Sequence, residues 1–149
     1  MGEAPRILVV DDDKSIRLTM AAILESEGLI VDTAENGKEA IEKSNANFYN
    51  LALIDIRLPD IMGTDLLTKF RETVPPMVKI IVTGFPALQN AIEAVNKGAN
   101  AYILKPADPQ KMLDTVKTWL KKQEQAKDCS LKVSEARARV TVAWSFKEP

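Results

Sequence analysis

The sequence predicts a doubly wound α/β domain, a mostly parallel sheet with helices on both faces. Short apolar runs alternate five times with segments whose apolar residues recur at helical spacing. Most of those runs are apolar at nearly every position, the pattern of strands covered on both sides. Residues able to do chemistry cluster at the ends of the runs rather than inside them.

The first run, Ile7–Val10, meets three carboxylates, Asp11, Asp12 and Asp13. A helical segment follows with Ile16, Met20, Ile23 and Leu24, and Gly28 suits its C-terminal cap. Leu29–Thr33 is a more mixed run and fits a sheet edge. Asn36–Gly37 opens a short helix carrying Ala40 and Ile41, and Leu51–Ile54 is the third run. Leu66, Leu67, Phe70 and Val74 predict a third helix, stopped by Pro75–Pro76. Ile80–Val82 precedes a fourth helix that begins near Pro86 and carries Leu88, Ala91, Ile92 and Val95 before Gly98. The last run is Ala101–Leu104. Asp108–Pro109, a cap followed by proline at the first helical position, then opens a helix with Met112, Val116, Trp119 and Leu120.

These elements predict one domain over residues 1–122. The polar stretch after Lys122 leads into a tail, residues 123–149, in which Ala136, Ala138, Val140, Val142, Trp144 and Phe146 alternate with more polar residues. That is strand periodicity, so an added strand paired with a sheet edge or a second chain is expected there. A chain of 149 residues, 46% hydrophobic and 28% charged, has enough apolar material for a core. Its net charge of -1 supplies no global attraction to nucleic acid or an anionic membrane. No run approaches the ~18 apolar residues of a membrane span, and no signal-peptide pattern opens the sequence. The single cysteine, Cys129, suits a reducing, cytoplasmic location. The chain contains no histidine, which excludes histidine general bases and histidine metal ligands of its own.

In a parallel sheet the carboxyl ends of all strands lie along one edge, where such sheets bind ligands. Asp11 and Asp12 follow the first strand, Asp55 ends the third, Thr83 ends the fourth and Lys105 follows the fifth. Clustered aspartates are hard oxygen donors suited to Mg²⁺. The Lys105 ammonium and Thr83 hydroxyl suit phosphoryl oxygens. A carboxylate can also attack phosphorus, and Asp55 is central enough to do so. Asp13 is better placed as the N-cap of the first helix.

The segments "ILVVDDD", "LALIDIRLPDIMG", "IIVTGF" and "AYILKP" resemble the signatures of the response-regulator receiver domain of two-component signalling, a CheY-like family, over roughly residues 5–122. The resemblance implies a flavodoxin-like five-stranded sheet of order 2-1-3-4-5. It implies that Asp55 is the phosphoacceptor, with Mg²⁺ held by Asp12, Asp55 and the Arg57 backbone carbonyl, and by Asp11 through water. Thr83 and Lys105 would contact the phosphoryl group, Tyr102 would be an aromatic switch coupled to Thr83, and the Lys105–Pro106 peptide would be cis. The donor would be a histidine kinase or histidine phosphotransfer protein, since this chain has no histidine of its own. The receiver would catalyse only its own phosphoryl transfer and dephosphorylation. A changed face formed by the fourth helix, the fifth strand and the fifth helix, carrying Asn90, Ala94 and Lys97, would meet a protein target or a second copy in a homodimer.

Plainer readings compete at single positions. Thr83 is also a good strand residue, Tyr102 also fits as packing on the last strand, and the basic residues from Lys121 to Arg139 read as solvated surface. A haloacid-dehalogenase-like phosphohydrolase would use Asp11 and Asp13 with Thr83 and Lys105. It would lack its further acidic motif and leave Asp55 without a role. The chain could also be the receiver part of a longer regulator whose output domain is missing.

Overall fold

The computed structural model describes residues 3–84, 87–106 and 108–127. Its strands are β1 (Arg6–Val10), β2 (Ile30–Ala34), β3 (Leu51–Ile54), β4 (Val78–Thr83) and β5 (Ala101–Leu104). They form one parallel sheet in the order β2-β1-β3-β4-β5. The helices are α1 (Lys14–Glu25), α2 (Gly37–Ala46), α3 (Gly63–Leu66), α4 (Leu88–Asn96) and α5, residues 109–127. Helix α5 runs past residue 122, and its Gln123 is buried. The alternating segment Ala138–Phe146 lies outside the described residues. Among the described residues no helix is long and apolar enough to cross a membrane.

Alternation along each strand sorts the core into two layers. Ile7, Val9, Leu51, Leu53, Ile80 and Val82 face α1 and α5, where they meet Met20, Leu24, Met112, Leu113 and Val116. Leu8, Val10, Ala52, Ile54 and Ile81 face the other side and meet Ala40, Leu66, Leu67 and Ala94. Both faces of β1, β3 and β4 are therefore covered, which is why those strands read as unbroken apolar runs.

Three elements depart from the periodicity. The third helix is one turn long. After Leu66 the chain tightens to i+3 bonds, with Thr68 N donating to Asp65 O and Lys69 N to Leu66 O. Lys79 Nζ takes the free Leu67 carbonyl at 3.0 Å, and Val74, expected on the helix's apolar face, is 97% exposed. Strand β5, though apolar, is the second sheet edge, and its Leu104 is exposed. Helix α4 is turned relative to its apolar spacing. Ala94 is fully buried, whereas Ile92 and Val95 face solvent. A methyl group at the contact lets the helix approach the sheet closely, and the larger apolar side chains are left outward. Of the three residues expected on its outer face, then, Ala94 does not belong there. Lys97 is tied to Asp65 and Glu93 at 2.5 and 2.8 Å.

Candidate metal and phosphoryl site

The site is built by carrying the sheet ladder one residue beyond the strands. Asp11 N donates to Ala34 O, Asp55 N to Val10 O and Lys105 N to Thr83 O, at 3.1, 2.9 and 2.8 Å. These bonds place Asp11, Asp55, Thr83 and Lys105 along the carboxyl edge of the sheet, as expected from their positions at the run ends. Asp11, Asp55 and Thr83 are buried, and Asp12 is exposed.

The β1–α1 turn separates the three consecutive acids. Asp13 Oδ1 accepts from Ile16 N at 3.2 Å and caps α1. Asp11 Oδ1 accepts from Asp13 N at 2.9 Å, and Arg17 from the first turn of α1 donates to the Asp11 carbonyl at 2.7 Å. Carboxylate oxygens of Asp11, Asp12 and Asp55 then lie within 4.8 Å of one another. Lys105 Nζ bridges two of them, 2.5 Å from Asp11 Oδ2 and 3.2 Å from Asp55 Oδ2. Three carboxylates against one ammonium leave an excess of negative charge around a small opening. Such a donor set fits a hard divalent cation such as Mg²⁺, for which mutual repulsion among the acids becomes affinity.

Burial pushes the Asp11 carboxyl above its ordinary range, more than the Lys105 ammonium and the Asp13 amide draw it down. Burial also works against the Lys105 charge, but its hydrogen bond to Asp11 and the charges of Asp11 and Asp55 outweigh it and hold the ammonium above its ordinary value. The two directions pull apart: Lys105 gains from the contact while Asp11 is left short. The ammonium is the secure charge here, because it answers two anions, and Asp11 is the acid with most to gain from a second cation.

Arg57 N donates to Asp55 Oδ1 at 3.4 Å, so the main chain after β3 touches the carboxylate. Tyr102 stands opposite Ile81 on β5, two residues short of the edge, and packs half-buried against the α3–α4 side of the core. Burial raises its phenol pKa. Among the described residues, a methyl group at Gly84 would meet Lys105 Cβ at 3.9 Å, an ordinary contact. The Lys105–Pro106 peptide is cis.

Three residues around the site carry no signal in the spacing of the sequence. Arg17 secures the β1–α1 turn as described above. A Cβ on Gly63 would lie 2.1 Å from the Asp55 carbonyl oxygen, so glycine alone lets the chain pass there. Asp60 reaches across to α2, where its two carboxylate oxygens accept from Gly37 N and Lys38 N at 2.8 and 2.9 Å. The glycine, eight residues beyond the strand-end acid, is the one that a motif reading could have marked.

Residues 7–117 match the profile of the family described as the response regulator receiver domain. The chain belongs to that family. It is 36% identical over 111 residues to the transcriptional regulatory protein ZraR of Klebsiella oxytoca, covering 74% of this chain and 25% of that protein. It is 32% identical over 142 residues to the transcriptional regulatory protein SrrA of Staphylococcus aureus, covering 95% of this chain and 57% of that one. The receiver thus spans only a quarter to somewhat over half of these curated relatives. Among solved structures it resembles a CheY-like receiver domain protein from Methanospirillum hungatei, at 45% identity and a TM-score of 0.79, covering 83% of this chain and 98% of that one. It also resembles the beryllofluoride-activated NtrC4 receiver domain dimer, at 35% identity and a TM-score of 0.74, covering 79% and 98%. The sheet order is the flavodoxin-like one expected. With the family shown, the phosphohydrolase alternative falls away.

Proposed function

We propose that this receiver takes a phosphoryl group onto Asp55 from a phosphohistidine of a partner kinase or phosphotransfer protein. An oxygen of Asp55 attacks phosphorus, the P–N bond to the donor imidazole breaks, and its electron pair returns to that ring. Mg²⁺, held by Asp11, Asp12, Asp55 and the Arg57 carbonyl, would neutralise the charge shared by the carboxylates and the incoming phosphoryl oxygens. The observation that carries this reading is the meeting of three carboxylates within 4.8 Å around one bridging ammonium.

The remaining residues act on the transferred group. Lys105 leaves Asp55 for a phosphoryl oxygen while Asp11 keeps hold of it, so the ammonium moves on a tether rather than freely. Thr83 donates its hydroxyl to another phosphoryl oxygen, and Tyr102, on the neighbouring strand opposite Ile81, follows as the switch. The exposed Ile92, Val95 and Leu104 supply apolar surface on α4 and β5 for a downstream protein or a second copy. A dimer of the NtrC4 receiver supports the second option. Signalling in the cytoplasm, with no chemistry beyond its own phosphorylation and dephosphorylation, completes the proposal.

Acetyl phosphate with and without Mg²⁺ tests it, read by intact mass and peptide mapping. One acid-stable, base-labile phosphoryl group should form only with Mg²⁺ and disappear in Asp55→Asn. Label that survives in Asp55→Asn and is lost in Asp11→Asn would overturn the assignment.

A further inference from the structure

We propose that Asp60 is a positioning residue for Asp55, clasping the β3–α3 loop onto the first turn of α2 and thereby fixing the direction of the Asp55 carboxylate. The proposal rests on the reading of Asp55 as a metal-binding phosphoacceptor.

Residues 56–63 form a closed loop between β3 and α3. Its neck is shut by Gly63 N donating to Ile56 O at 2.5 Å, and Arg57 and Met62 face each other across it in an isolated antiparallel bridge. Its tip leaves the neck and rests on α2. There the Asp60 carboxylate accepts from two successive backbone amides, and Ile61 covers Gly37 so closely that a Cβ at 37 would lie 2.2 Å from Ile61 Cγ2.

Helix α2 has a cap of its own beside Asp60. Asn36 caps it, accepting from Glu39 N at 2.8 Å, and Asp60 serves the amides of buried Gly37 and exposed Lys38 in addition. The Gly37 amide draws the Asp60 carboxyl below its ordinary range, so the acid is charged and held in use. The beneficiary is the loop. Arg57, one residue inside the neck, gives its amide to Asp55 Oδ1 at 3.4 Å. A bond that long is sensitive to shifts of a few tenths of an ångström. Anchoring the loop at its tip and its neck keeps Arg57 N in reach and leaves Asp55 Oδ2 to Lys105. The Arg57 amide is the partner one step removed from the Asp55 ligand, the kind of group that tunes metal affinity, and Asp60 acts on it through the loop.

Mg²⁺ titrations by calorimetry, with melting curves and amide exchange, test the clasp in the native chain, Asp60→Ala, Asp60→Asn, Gly37→Ala and Asp12→Asn. Asp60→Ala should weaken Mg²⁺ binding by up to about tenfold when titrated well below its melting temperature. That temperature should drop modestly in EDTA, because the buried Gly37 amide loses its acceptor. Asp60→Asn, which keeps one acceptor oxygen, should fall between. Gly37→Ala lifts Ile61 from the opposite side and should reproduce the loss even though alanine favours the helix. Native Mg²⁺ affinity in Asp60→Ala and Gly37→Ala, with the Gly37 or Lys38 amide exchanging faster, would overturn the clasp alone. Absence of Mg²⁺ binding in the native chain, or binding unaffected by Asp12→Asn, would overturn the metal reading and the clasp with it.

Discussion

Replacing Lys105 with methionine keeps most of the side-chain volume and removes the ammonium that bridges Asp11 and Asp55. Stripping a buried carboxylate of its partner costs about 3–5 kcal/mol. Here the lysine side chain is 18% exposed and Asp11 can take up a proton instead, so about 2–3 kcal/mol is expected. At about 4 °C per kcal/mol for a chain of this size, the melting temperature in EDTA should fall by roughly 8–12 °C. The loss should depend on pH. The Asp11 carboxyl already lies above its ordinary 3.8, chiefly through burial, and both Lys105 contributions that lower it vanish in the variant. An acid whose folded pKa is raised contributes stability that is complete below its unfolded value and is lost as pH rises through the folded value. The gap between variant and native should therefore be wider at pH 8 than at pH 5. Mg²⁺ restores positive charge beside Asp11, so it should narrow the gap at pH 8. Melting curves at both pH values, in EDTA and in excess Mg²⁺, provide the measurement. A deficit equal in all four conditions would mean that Lys105 acts through packing, and the charge reasoning would fail.

Asp12→Asn should weaken Mg²⁺ binding in calorimetry yet leave melting in EDTA unchanged or slightly higher. With the three acids within 4.8 Å of one another, each repulsion removed is about 0.9 kcal/mol in a water-like dielectric, and a clear loss of stability without metal would contradict this. Gly63→Ala drives a methyl group into the backbone of Asp55 and Ile56, at 2.1 and 2.8 Å. It should cost about 3 kcal/mol or more in urea unfolding, and a near-native midpoint would refute the tight passage. Gln123→Ala removes bonds to the Asn50 and Pro76 carbonyls, 2.9 and 2.8 Å long. It should cost about 1–3 kcal/mol in the same assay without altering acetyl phosphate labelling, and slowed labelling would count against their independence. Phosphorylation should move the ring resonances of Tyr102, and shifts limited to Asp55 and its neighbours would remove the switch.

What the sequence discloses depends on the range of the interaction. The strands and the strand-end acids were legible because burial on both faces writes an unbroken apolar run, and a polar residue ending such a run must lie at the sheet edge. Asp11, Asp55, Thr83 and Lys105 needed only that logic. The outward turn of α4 was not legible, since spacing marks an apolar face without saying that Ala94, not Ile92 or Val95, meets the sheet. Nor does composition distinguish an edge strand from a central one when both are apolar, as at β5. Asp60 with Gly37, and Gln123 with Asn50, are joined across 23 and 73 residues by bonds that follow from packing already completed. No local pattern anticipates them.

Gln123 also fixes the far end of α5. Helix α5 starts a few residues beyond Lys105, at the acid edge, and descends the sheet until Gln123 grips the residues that open β3 and β4 at the far end. Strands of four to six residues separate the two ends, a height of about 13–20 Å at roughly 3.3 Å per residue. The acid edge and the Gln123 end of α5 therefore lie at opposite poles of the sheet. A change of charge at the acid edge reaches the Gln123 end only through the two packed layers that lie between them.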